Sequence, residues 1–525
     1  MTSKDNRHKK QIKRKNIREE KKRQAILRFE EQNPILAKLI SYFKIIFRKE
    51  TDPTRKNLIL MMMAMLYKDA CPSVRSMFHS FIRKHTKNQL TALYYTLNHS
   101  QLFPDEWNLN LLSIILTCSE VVKYLPIFYI FDDTLVEKKG EHFELRATLF
   151  DHNSKNGSSY LNGHCFVSLV IAIPVRYRGT LRYLKVPLIH KMWDKESGVT
   201  KLQMARDMVL SIDSHLGYSF LTAVLCDSWY PKGEVLELHT LHQIPFVCAV
   251  RSDTALYDLP DSQPEGKRGR KPIRGKKLSK NLGQTFNFID IDDYPYQIGS
   301  RQVMTDIFHK TICQAYATKS VAEQEEDDEA EASVNSTDEQ SQTSASNSTS
   351  IQPENEETAS DGSTQVSSVR KKKQNINLFL ATEALDLSDF SVDMLGSEET
   401  KTLVRSNKLY ISFAIYQYRW TIENTYYELK LFWNFGGYKL RSKIGVESLI
   451  NIQNILYALM SVLPYISNQF AVLADLSAQE RRFKIGEFLR KVEFMDGFVQ
   501  HIETTENSQA LRAVCAYYME NHILL

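Results

Sequence analysis

The sequence predicts an α/β protein in which a mixed sheet is preceded and followed by all-helical regions. Between residues 26 and 118, apolar residues recur at intervals of three and four, the period of a helix with one buried face. From Tyr124 the pattern changes to short apolar runs that are typical of buried strands. After residue 397 the helical period returns. A chain of 525 residues is long enough for several domains and a sizeable core.

Charge is distributed unevenly along the chain, although the net charge is only +5. Residues 1–25 carry eleven Lys or Arg against three acids, whereas residues 321–369 carry thirteen acids and no Lys or Arg. A basic body with an acidic insert indicates a polyanionic partner. The basic arm can be a solvated tail, a non-specific phosphate-binding segment, or both.

Cysteine usage and hydropathy exclude several classes of protein. The seven cysteines are scattered and no C-x-x-C occurs, which disfavours a disulfide framework or a structural zinc site and indicates a reducing compartment. The first residues are charged and lack the apolar region of a signal peptide. Leu58–Leu66 is apolar but too short to span a bilayer, so we expect a buried helix there and no membrane partner.

The helical N-terminal region is expected to bind DNA. Lys and Arg lie between its apolar faces, and a small basic helical domain at the front of a longer chain is compatible with a DNA reader. No helix-turn-helix signature identifies a recognition helix. The predicted helices are Ile26–Phe47, Leu58–Tyr67, Val74–Ile82 and Leu90–Leu97.

Acids follow two of the predicted strands. Ile127–Phe131 and Ala223–Cys226 indicate buried strands, and they are followed directly by Asp132 and Asp227. Strand ends at one edge of an α/β sheet are where such folds place their sites. Each Asp alone is better explained as a turn-capping residue, so the pair gains weight only as part of a larger set. Further strands are predicted at Cys165–Val175, Arg182–Ile189 and Pro245–Val250, and a helix at Lys201–Leu216.

The composition changes again after residue 260. Residues 260–317 contain a basic, Gly-containing loop and runs that predict short strands. The loop is expected to contact DNA through Lys267, Arg268, Arg270 and Lys271. Residues 318–374 are rich in acids and then in Ser, Thr, Gln and Asn, a composition that cannot bury enough apolar surface to fold. A strand is predicted at Ile376–Ala381, where the core resumes.

The stretch Tyr416–Lys430 predicts a helix because it lacks Gly and Pro and lies in an apolar run of helical period. Its polar residues are separated by three, four and seven positions, which places them on one face of a helix. These residues are Tyr416, Arg419, Glu423 and Lys430. Alone, such a face is explained equally well by ion pairs on a surface helix.

Taken together, Asp132, Asp227 and Glu423 predict a metal-dependent site for phosphoryl transfer. Three carboxylates repel one another unless divalent cations lie between them, and Mg²⁺ prefers oxygen ligands. Two such ions about 3.5–4 Å apart can activate a water or a 3′-hydroxyl and stabilise the leaving oxygen of a phosphodiester. Cations beside a metal-binding acid suit such a site.

The spacing Tyr416-x2-Arg419-x3-Glu423-x6-Lys430 is similar to the Y-x2-R-x3-E-x6-K signature of a large family of bacterial insertion-sequence transposases of the DDE class. Other short motifs of the sequence resemble those of that family in order and spacing, and the resemblance covers roughly residues 50–465. These motifs are Asp132-Asp133-Thr134, Lys138-Lys139-Gly140, Leu161-Asn162-Gly163, Asp227-Ser228-Trp229-Tyr230 and Ala381-Thr382-Glu383.

The resemblance implies an RNase H-like catalytic core, a mixed sheet with helices, that a β-rich insertion interrupts before the Glu. It implies cut-and-paste DNA transposition with Mg²⁺ (or Mn²⁺), usually through hairpinned transposon ends. Asp132, Asp227 and Glu423 would be the catalytic metal ligands. Arg419 and Lys430 would hold phosphates of the transposon end, and Tyr416 would contact the backbone beside the cut. The implied partners are double-stranded DNA and a second copy in a synaptic homodimer, at the nucleoid in a bacterial cytoplasm.

The first acid has a rival in its neighbour. Asp132 is preferred over Asp133 because members of the family tend to show D-x-T or D-x-S at this point, which makes Thr134 the third residue.

Other residues are better explained structurally. His152 and His164 could be ligands, but a core or turn position is the better interpretation of each. Trp229 and Trp420 could stack on an extruded base, but Trp420 is better explained as a core residue. A solvated turn is the better interpretation of Asp290, Asp292 and Asp293.

These patterns divide the chain into eight segments. They are a basic arm (1–25), a helical DNA-binding domain (26–120), the first part of the core (121–259), a β-rich insertion (260–317), an acidic disordered loop (318–374), a return strand (375–396), the second part of the core (397–475) and a helical tail (476–525). Two rival functions stay open: a domesticated or inactive transposase that only binds DNA, and a metal-dependent nuclease of the same fold without strand transfer.

Overall fold

A computed structural model describes most of the chain. The described residues are 33–68, 73–151, 158–260, 272–320, 376–382 and 389–502, with Ile12, Leu387, Ala513, Val514 and Tyr517. The basic arm and the acidic low-complexity loop therefore fall almost wholly outside the described residues, as do the four basic residues of the predicted DNA-contacting loop.

Helices form the first described region, as predicted. Asn33 starts the first of them, because its side chain accepts hydrogen bonds from the backbone of Ile35 and Leu36. The Leu58–Leu66 run is buried on all sides, also as predicted. The helices are α1 (Pro34–Ile46), α2 (Asp52–Tyr67), α3 (Val74–Met77), α4 (Arg83–His85), α5 (Leu90–His99) and α6 (Pro104–Leu116), with a π-helix at Phe78–Ile82 between α3 and α4.

One mixed sheet of ten strands forms the centre of the described chain. The strands are β1 (Ile127–Glu137), β2 (Ala147–Phe150), β3 (Tyr160–Tyr177), β4 (Thr180–Met192), β5 (Thr222–Cys226), β6 (Phe246–Val250), β7 (Leu256–Tyr257), β8 (Tyr296–Thr305), β9 (Ile312–Ser320) and β10 (Ile376–Ala381). Their spatial order is β2-β3-β1-β5-β6-β10-β9-β8-β7, and β4 also pairs with β3. β5 is parallel to both β1 and β6, whereas the other pairs are antiparallel.

β1 extends beyond the apolar run that predicted it. Asp132 and Asp133 were expected after the strand, but they lie within it, because the antiparallel ladder with β3 continues to the pair Glu137 and Gly163. Only glycine fits at position 163, since a Cβ atom there would lie 2.1 Å from the carbonyl oxygen of Val136. Backbone pairing thus fixes the acidic residues in an extended conformation.

The strands of the predicted β-rich insertion belong to this same sheet. β8 and β9 form a hairpin, and β10 joins β9 to β6, so these strands continue the sheet from its parallel centre. Within the described residues they do not form a separate sheet.

Eight further helices accompany and follow the strands within the described residues. They are α7 (Lys201–Leu216), α8 (Glu237–Thr240), α9 (Leu282–Thr285), α10 (Glu398–Ser406), α11 (Ile411–Ala414), α12 (Trp420–Phe432), α13 (Lys443–Ile466) and α14 (Ala478–Ile502). The predicted single helix over Tyr416–Lys430 is wrong at its start, because Ile415–Arg419 is a 3₁₀-helix that leads into α12. A tighter first turn of this kind is common at helix ends.

The two faces of the sheet carry separate apolar cores. Alternate residues of a strand point to opposite faces, so Tyr129 and Phe131 of β1 join one core, while Phe128 and Ile130 join the other. The second core also contains Ile422 of α12, so α12 covers that face.

α13 is the most apolar of the long helices. Among the described residues it is the one helix whose length and composition would allow it to cross a membrane, yet 94% of that stretch is buried inside the protein. Such burial is typical of a core helix.

α14 is attached to the rest of the chain by two buried arginines. Pro464 in α13 cannot donate a hydrogen bond to the carbonyl of Met460, and Arg481 donates to that carbonyl instead, at 2.9 Å. Arg482 donates to the carbonyls of Met65, Lys68 and Phe432 at 3.2, 2.8 and 3.0 Å. Because those carbonyls lie at the ends of α2 and α12, Arg482 links the N-terminal helices to α12.

Candidate active site

Asp132 lies in β1 and Asp227 directly follows β5, at equivalent heights along these two neighbouring parallel strands. The ladder between β1 and β5 pairs Ile130 with Leu225, and each acid lies two residues beyond its member of that pair. Neighbouring strands are about 4.8 Å apart, and residues in the same register point to the same face. The two carboxylates therefore lie side by side on the face that α12 covers.

Asp133 points to the opposite face of β1, where its partners are structural. Its carboxylate is 2.7 Å from Lys201 Nζ on α7 and accepts hydrogen bonds from the Tyr230 hydroxyl at 3.2 Å and the Cys165 thiol at 3.4 Å. By contrast, within the described part of the chain the Asp132 carboxylate accepts one hydrogen bond, from the backbone N–H of Asp133 at 2.8 Å. This arrangement favours Asp132 as the acid that is available to a ligand.

The environment of the two acids favours their protonated forms. Burial, together with the neighbouring charges of Asp227 and Asp133, raises the pKa of Asp132 to about 8. Burial also raises the pKa of Asp227, although the backbone N–H of Trp229 and the charge of Arg419 oppose that shift. Two half-buried carboxylates in this state require a cation before both can be charged.

Arg419 is a cation whose charge acts on both acids. Its charge lowers the pKa of Asp132 and of Asp227, which places its guanidinium close to both. Arg419 is largely buried, and its Nη2 atom is 2.6 Å from Glu423 Oε1. Its Nε atom is buried without a hydrogen-bond partner among the described residues. The guanidinium therefore has one N–H donor that no described residue occupies.

Glu423, the third predicted metal ligand, is engaged by Arg419. The described residues contain no group of three or more His, Cys, Asp or Glu side chains that could hold a metal ion. The structure thus brings Asp132 and Asp227 together and places Glu423 beside them, one arginine away. A carboxylate pair with raised pKa fits a divalent cation with oxygen ligands, and Glu423 would complete the set only after leaving Arg419.

The other two residues of the signature also lie at this site. The Tyr416 ring is 5.8 Å from the Arg419 guanidinium carbon and 5.1 Å from the Phe379 ring, and burial raises the pKa of its hydroxyl. Lys430 Nζ is 2.6 Å from the hydroxyl of Thr134, two residues beyond Asp132 on β1. A line of positive charge therefore runs from Arg419 to Lys430 along the acids.

Trp420, Trp229 and His164, which the sequence offered as stacking or ligand candidates, differ in burial. Trp420 was expected in the core, and that expectation is wrong, because 55% of its side chain is exposed. Trp229 is also exposed. His164 is a core residue, as expected: its Nδ1 lies 2.6 Å from the Tyr438 hydroxyl and its Nε2 lies 3.0 Å from the Glu144 carbonyl.

The acidic cluster in the insertion is an exposed turn, as expected. Its residues are Asp290, Asp292 and Asp293. Some predicted residues lie outside the described part of the chain, and they are His152 and the DNA-contact candidates Lys267, Arg268, Arg270 and Lys271.

Sequence reasoning missed one residue that contacts the site. Tyr426 of α12 donates a hydrogen bond from its hydroxyl to the backbone carbonyl of Asp132 at 2.9 Å. Its position three residues after Glu423, on the neighbouring part of the same helix face, was the available signal.

The fold and the site together define a class of protein. An α/β sheet presents two neighbouring carboxylates, and the 3₁₀-helix and α12 add a third acid, Glu423, and two cations, Arg419 and Lys430. Comparison with known families makes the assignment more particular. The model of the transposase DDE domain matches residues 196–459, half of the chain, and the model of the DDE superfamily endonuclease matches residues 53–285. The chain belongs to the transposase DDE domain family.

The two matches cover complementary parts of the site. Asp132 falls within the endonuclease match, Glu423 falls within the transposase match, and Asp227 lies in both. Among solved structures, the piggyBac transposase synaptic complex with hairpin DNA is similar at 12% identity and a TM-score of 0.40, over 91% of this chain and 84% of that chain. No curated protein matches the chain.

Proposed function

We propose that this protein is the transposase of an insertion sequence and that it moves its element by metal-dependent cut-and-paste transposition. The reaction comprises hydrolysis of phosphodiesters at the element's ends and transfer of those ends to a target DNA. The observation that carries the proposal is the register of Asp132 and Asp227 on β1 and β5, with Arg419 and Glu423 above them.

In this proposal Asp132 and Asp227 hold the first divalent cation, Mg²⁺ or Mn²⁺, and Glu423 joins them. A bound cation would supply the positive charge that the attacking and leaving oxygens of a phosphodiester require. Support comes from the raised pKa values of both aspartates, since the pair lacks the charge that would let both ionise.

The chain's own cations position the DNA. Arg419 has a buried Nε donor that no described residue occupies, and its guanidinium can form the paired hydrogen bonds that a phosphate accepts. A phosphate bound there competes with Glu423 for the guanidinium. Loss of the ion pair would release the Glu423 carboxylate toward the two aspartates, so binding of DNA and completion of the acidic site are coupled.

Lys430 and Tyr416 extend this contact along the DNA backbone. Lys430 is held beside β1 by Thr134, and Tyr416 packs on the other side of Arg419. The basic residues Lys267, Arg268, Arg270 and Lys271 add a further contact in the proposal, which rests on their charge alone. Replacing these four by Gln should weaken binding to every DNA sequence alike, because phosphate contacts carry no sequence information.

The proposed partners are double-stranded DNA at the element's ends and at the target, and a second copy of the chain that brings two ends together. The proposed location is the nucleoid in a bacterial cytoplasm. These proposals follow from the function and would fail with it.

A donor plasmid that carries the element with its flanking DNA tests the function. With Mg²⁺, the wild type should excise the element and join it to a target plasmid, whereas Glu423→Ala should leave the donor intact. Equal excision by the variant would overturn the catalytic assignment. Nicked or cut donor without joined product would instead identify a nuclease, and DNA binding without cutting would identify an inactive descendant.

A further inference from the structure

A row of buried polar residues crosses the sheet beside Asp132. Ser168 of β3 is the cross-strand partner of Asp132, and His190 of β4 is the cross-strand partner of Ser168. Residues in register on neighbouring strands share a face, so all three belong to one row. Ser168 and His190 are both completely buried. Strand positions this deeply buried normally carry apolar side chains, so polar side chains here indicate a specific role.

The hydrogens in this row can be assigned from its outer end. Asn454 of α13 donates from Nδ2 to the carbonyls of Pro187 and Leu188 at 3.1 and 2.9 Å. Those two bonds use both amide hydrogens, so Oδ1 of Asn454 must accept. The carbonyls are available because β4 has an irregular register at this point.

The orientation of Asn454 fixes the tautomer of His190. His190 Nε2 lies 2.7 Å from Asn454 Oδ1, so this nitrogen carries the hydrogen. Nδ1 then has a lone pair, and the Ser168 hydroxyl donates to it at 2.5 Å. The imidazole is therefore neutral, in agreement with burial, which lowers the pKa of His190 to about 4.

Tyr426 closes the row over Asp132. Its ring is buried, and its hydroxyl lies beside Ser168 while donating to the Asp132 carbonyl. The ladder between β1 and β5 has its last pair at Ile130 and Leu225, so on that side Asp132 has no strand partner. The hydrogen bond from Tyr426 therefore holds the backbone of Asp132 where the ladder between β1 and β5 has ended.

We propose that Tyr426, Ser168 and His190 are positioning residues for the Asp132 carboxylate. Tyr426 contacts the backbone of Asp132 directly. Ser168, the ladder partner of Asp132, is joined through His190 of β4 and Asn454 to the buried helix α13. The carboxyl group is thereby kept toward Asp227, although the two groups would repel each other once both are ionised. None of the three residues is a metal ligand. This inference rests on the proposed function, because Asp132 is a metal ligand only in that function.

The first test replaces Tyr426 by Phe, which removes the hydroxyl and keeps the ring. Calorimetric titration of the full-length protein with Mn²⁺, without DNA, should show affinity about tenfold or more below that of the wild type, the usual effect of losing an outer partner of a ligand. Tyr427→Phe is the matched control, because Tyr427 is the next residue of α12 and is 63% exposed. Its Mn²⁺ affinity should equal that of the wild type.

A second readout separates positioning from general destabilisation. In the excision assay, Tyr426→Phe should need about tenfold more metal for half-maximal rate but should approach the wild-type rate at saturating metal. A variant that is merely less well folded would lose rate at every metal concentration.

A second variant acts in the middle of the row. Ser168→Ala should weaken Mn²⁺ binding in the same way, because it removes the donor to His190. Ser461→Ala is its control, since Ser461 is also a buried serine but its hydroxyl donates within α13, to the Tyr457 carbonyl at 3.1 Å.

The outcomes distinguish the inference from the function on which it rests. Weaker Mn²⁺ binding by both row variants, with both controls normal, supports the inference. Normal Mn²⁺ binding by Tyr426→Phe and Ser168→Ala, in a wild type that binds metal and excises DNA, overturns the inference alone. A wild type that binds no Mn²⁺ with or without end DNA, and that does not excise the element, overturns the proposed function, and the inference with it.

Discussion

The guanidinium of Arg419, the last residue of the 3₁₀-helix, lies 2.6 Å from the carboxylate of Glu423 in the first turn of α12. The predicted third ligand is therefore paired with the same arginine whose charge lowers the pKa of Asp132 and of Asp227. This relationship leads to the first prediction.

DNA should strengthen metal binding by the wild type. A phosphate that binds Arg419 frees Glu423, so Mn²⁺ affinity should rise about tenfold when end DNA is added, a typical coupling between two sites. Arg419→Gln frees Glu423 permanently, and its Mn²⁺ affinity should not respond to DNA. Calorimetry with and without duplex measures both. Arg405→Gln is the control, because Arg405 pairs with Glu398 far from the aspartates, and it should keep the wild-type response. A wild type whose metal affinity ignores DNA would contradict the coupling.

Stability without metal should fall as the pH rises toward 8. The pKa of Asp132 is about 8 in the folded protein but 3.8 for an ordinary aspartate, so the folded state retains a proton that the unfolded state loses. Its stabilising contribution is complete below about pH 4 and disappears as the pH rises through 8. Asp132→Asn should remove this part of the slope, and Mg²⁺ should restore wild-type stability at pH 8. Melting temperatures in EDTA between pH 6.5 and 8.5 measure it; parallel curves for wild type and variant would exclude the effect.

Asp132 and Asp133 should have opposite mutational effects. Asp133→Asn breaks the ion pair with Lys201 and should lower the free energy of unfolding by about 1–3 kcal/mol while excision continues. Asp132→Asn should keep its stability at neutral pH and lose excision by more than about a hundredfold. Urea unfolding and the excision assay on both proteins test the pair. The reverse pattern would make Asp133 the ligand.

Arg482 should be essential for the packing of α14. Its three hydrogen bonds to the ends of α2 and α12 are buried or nearly so, and Arg482→Met leaves those carbonyls unpaired. The free energy of unfolding should fall by about 3–5 kcal/mol. Lys491→Met, which breaks an exposed pair with Glu487 on the same helix, should change it by less than about 0.5 kcal/mol. Similar effects of both substitutions in urea unfolding would refute this role.

Local patterns were sufficient to predict most of the elements. Apolar runs located β1, β3, β4, β5 and β6, and the helical period located α2 and α7. The period fails where the backbone departs from ideal geometry, as in the 3₁₀-helix before Trp420. It also fails where pairing overrides polarity, as at Asp132, which a ladder with β3 keeps in a strand.

The site could be predicted as a set of residues but not as an arrangement. Spacing suggested that Glu423 belongs with Asp132 and Asp227, but the pairing of Glu423 with Arg419 depends on side-chain geometry. The faces to which Asp132 and Asp133 point could not be decided until the register of β1 was known. The contact from Tyr426 joins residues 294 positions apart, and no local pattern reports such a contact.

The most direct test of the central claim is metal-specific rescue of the first ligand. Excision by Asp132→Cys and by Asp133→Cys is measured in Mg²⁺ and in Mn²⁺, because a thiolate accepts the softer ion more readily than Mg²⁺. If Asp132 holds the metal, Asp132→Cys is inactive in Mg²⁺ and regains excision in Mn²⁺, while Asp133→Cys keeps the wild-type ratio between the two ions. Wild-type excision by Asp132→Cys in Mg²⁺, or Mn²⁺ rescue of Asp133→Cys alone, would contradict the account.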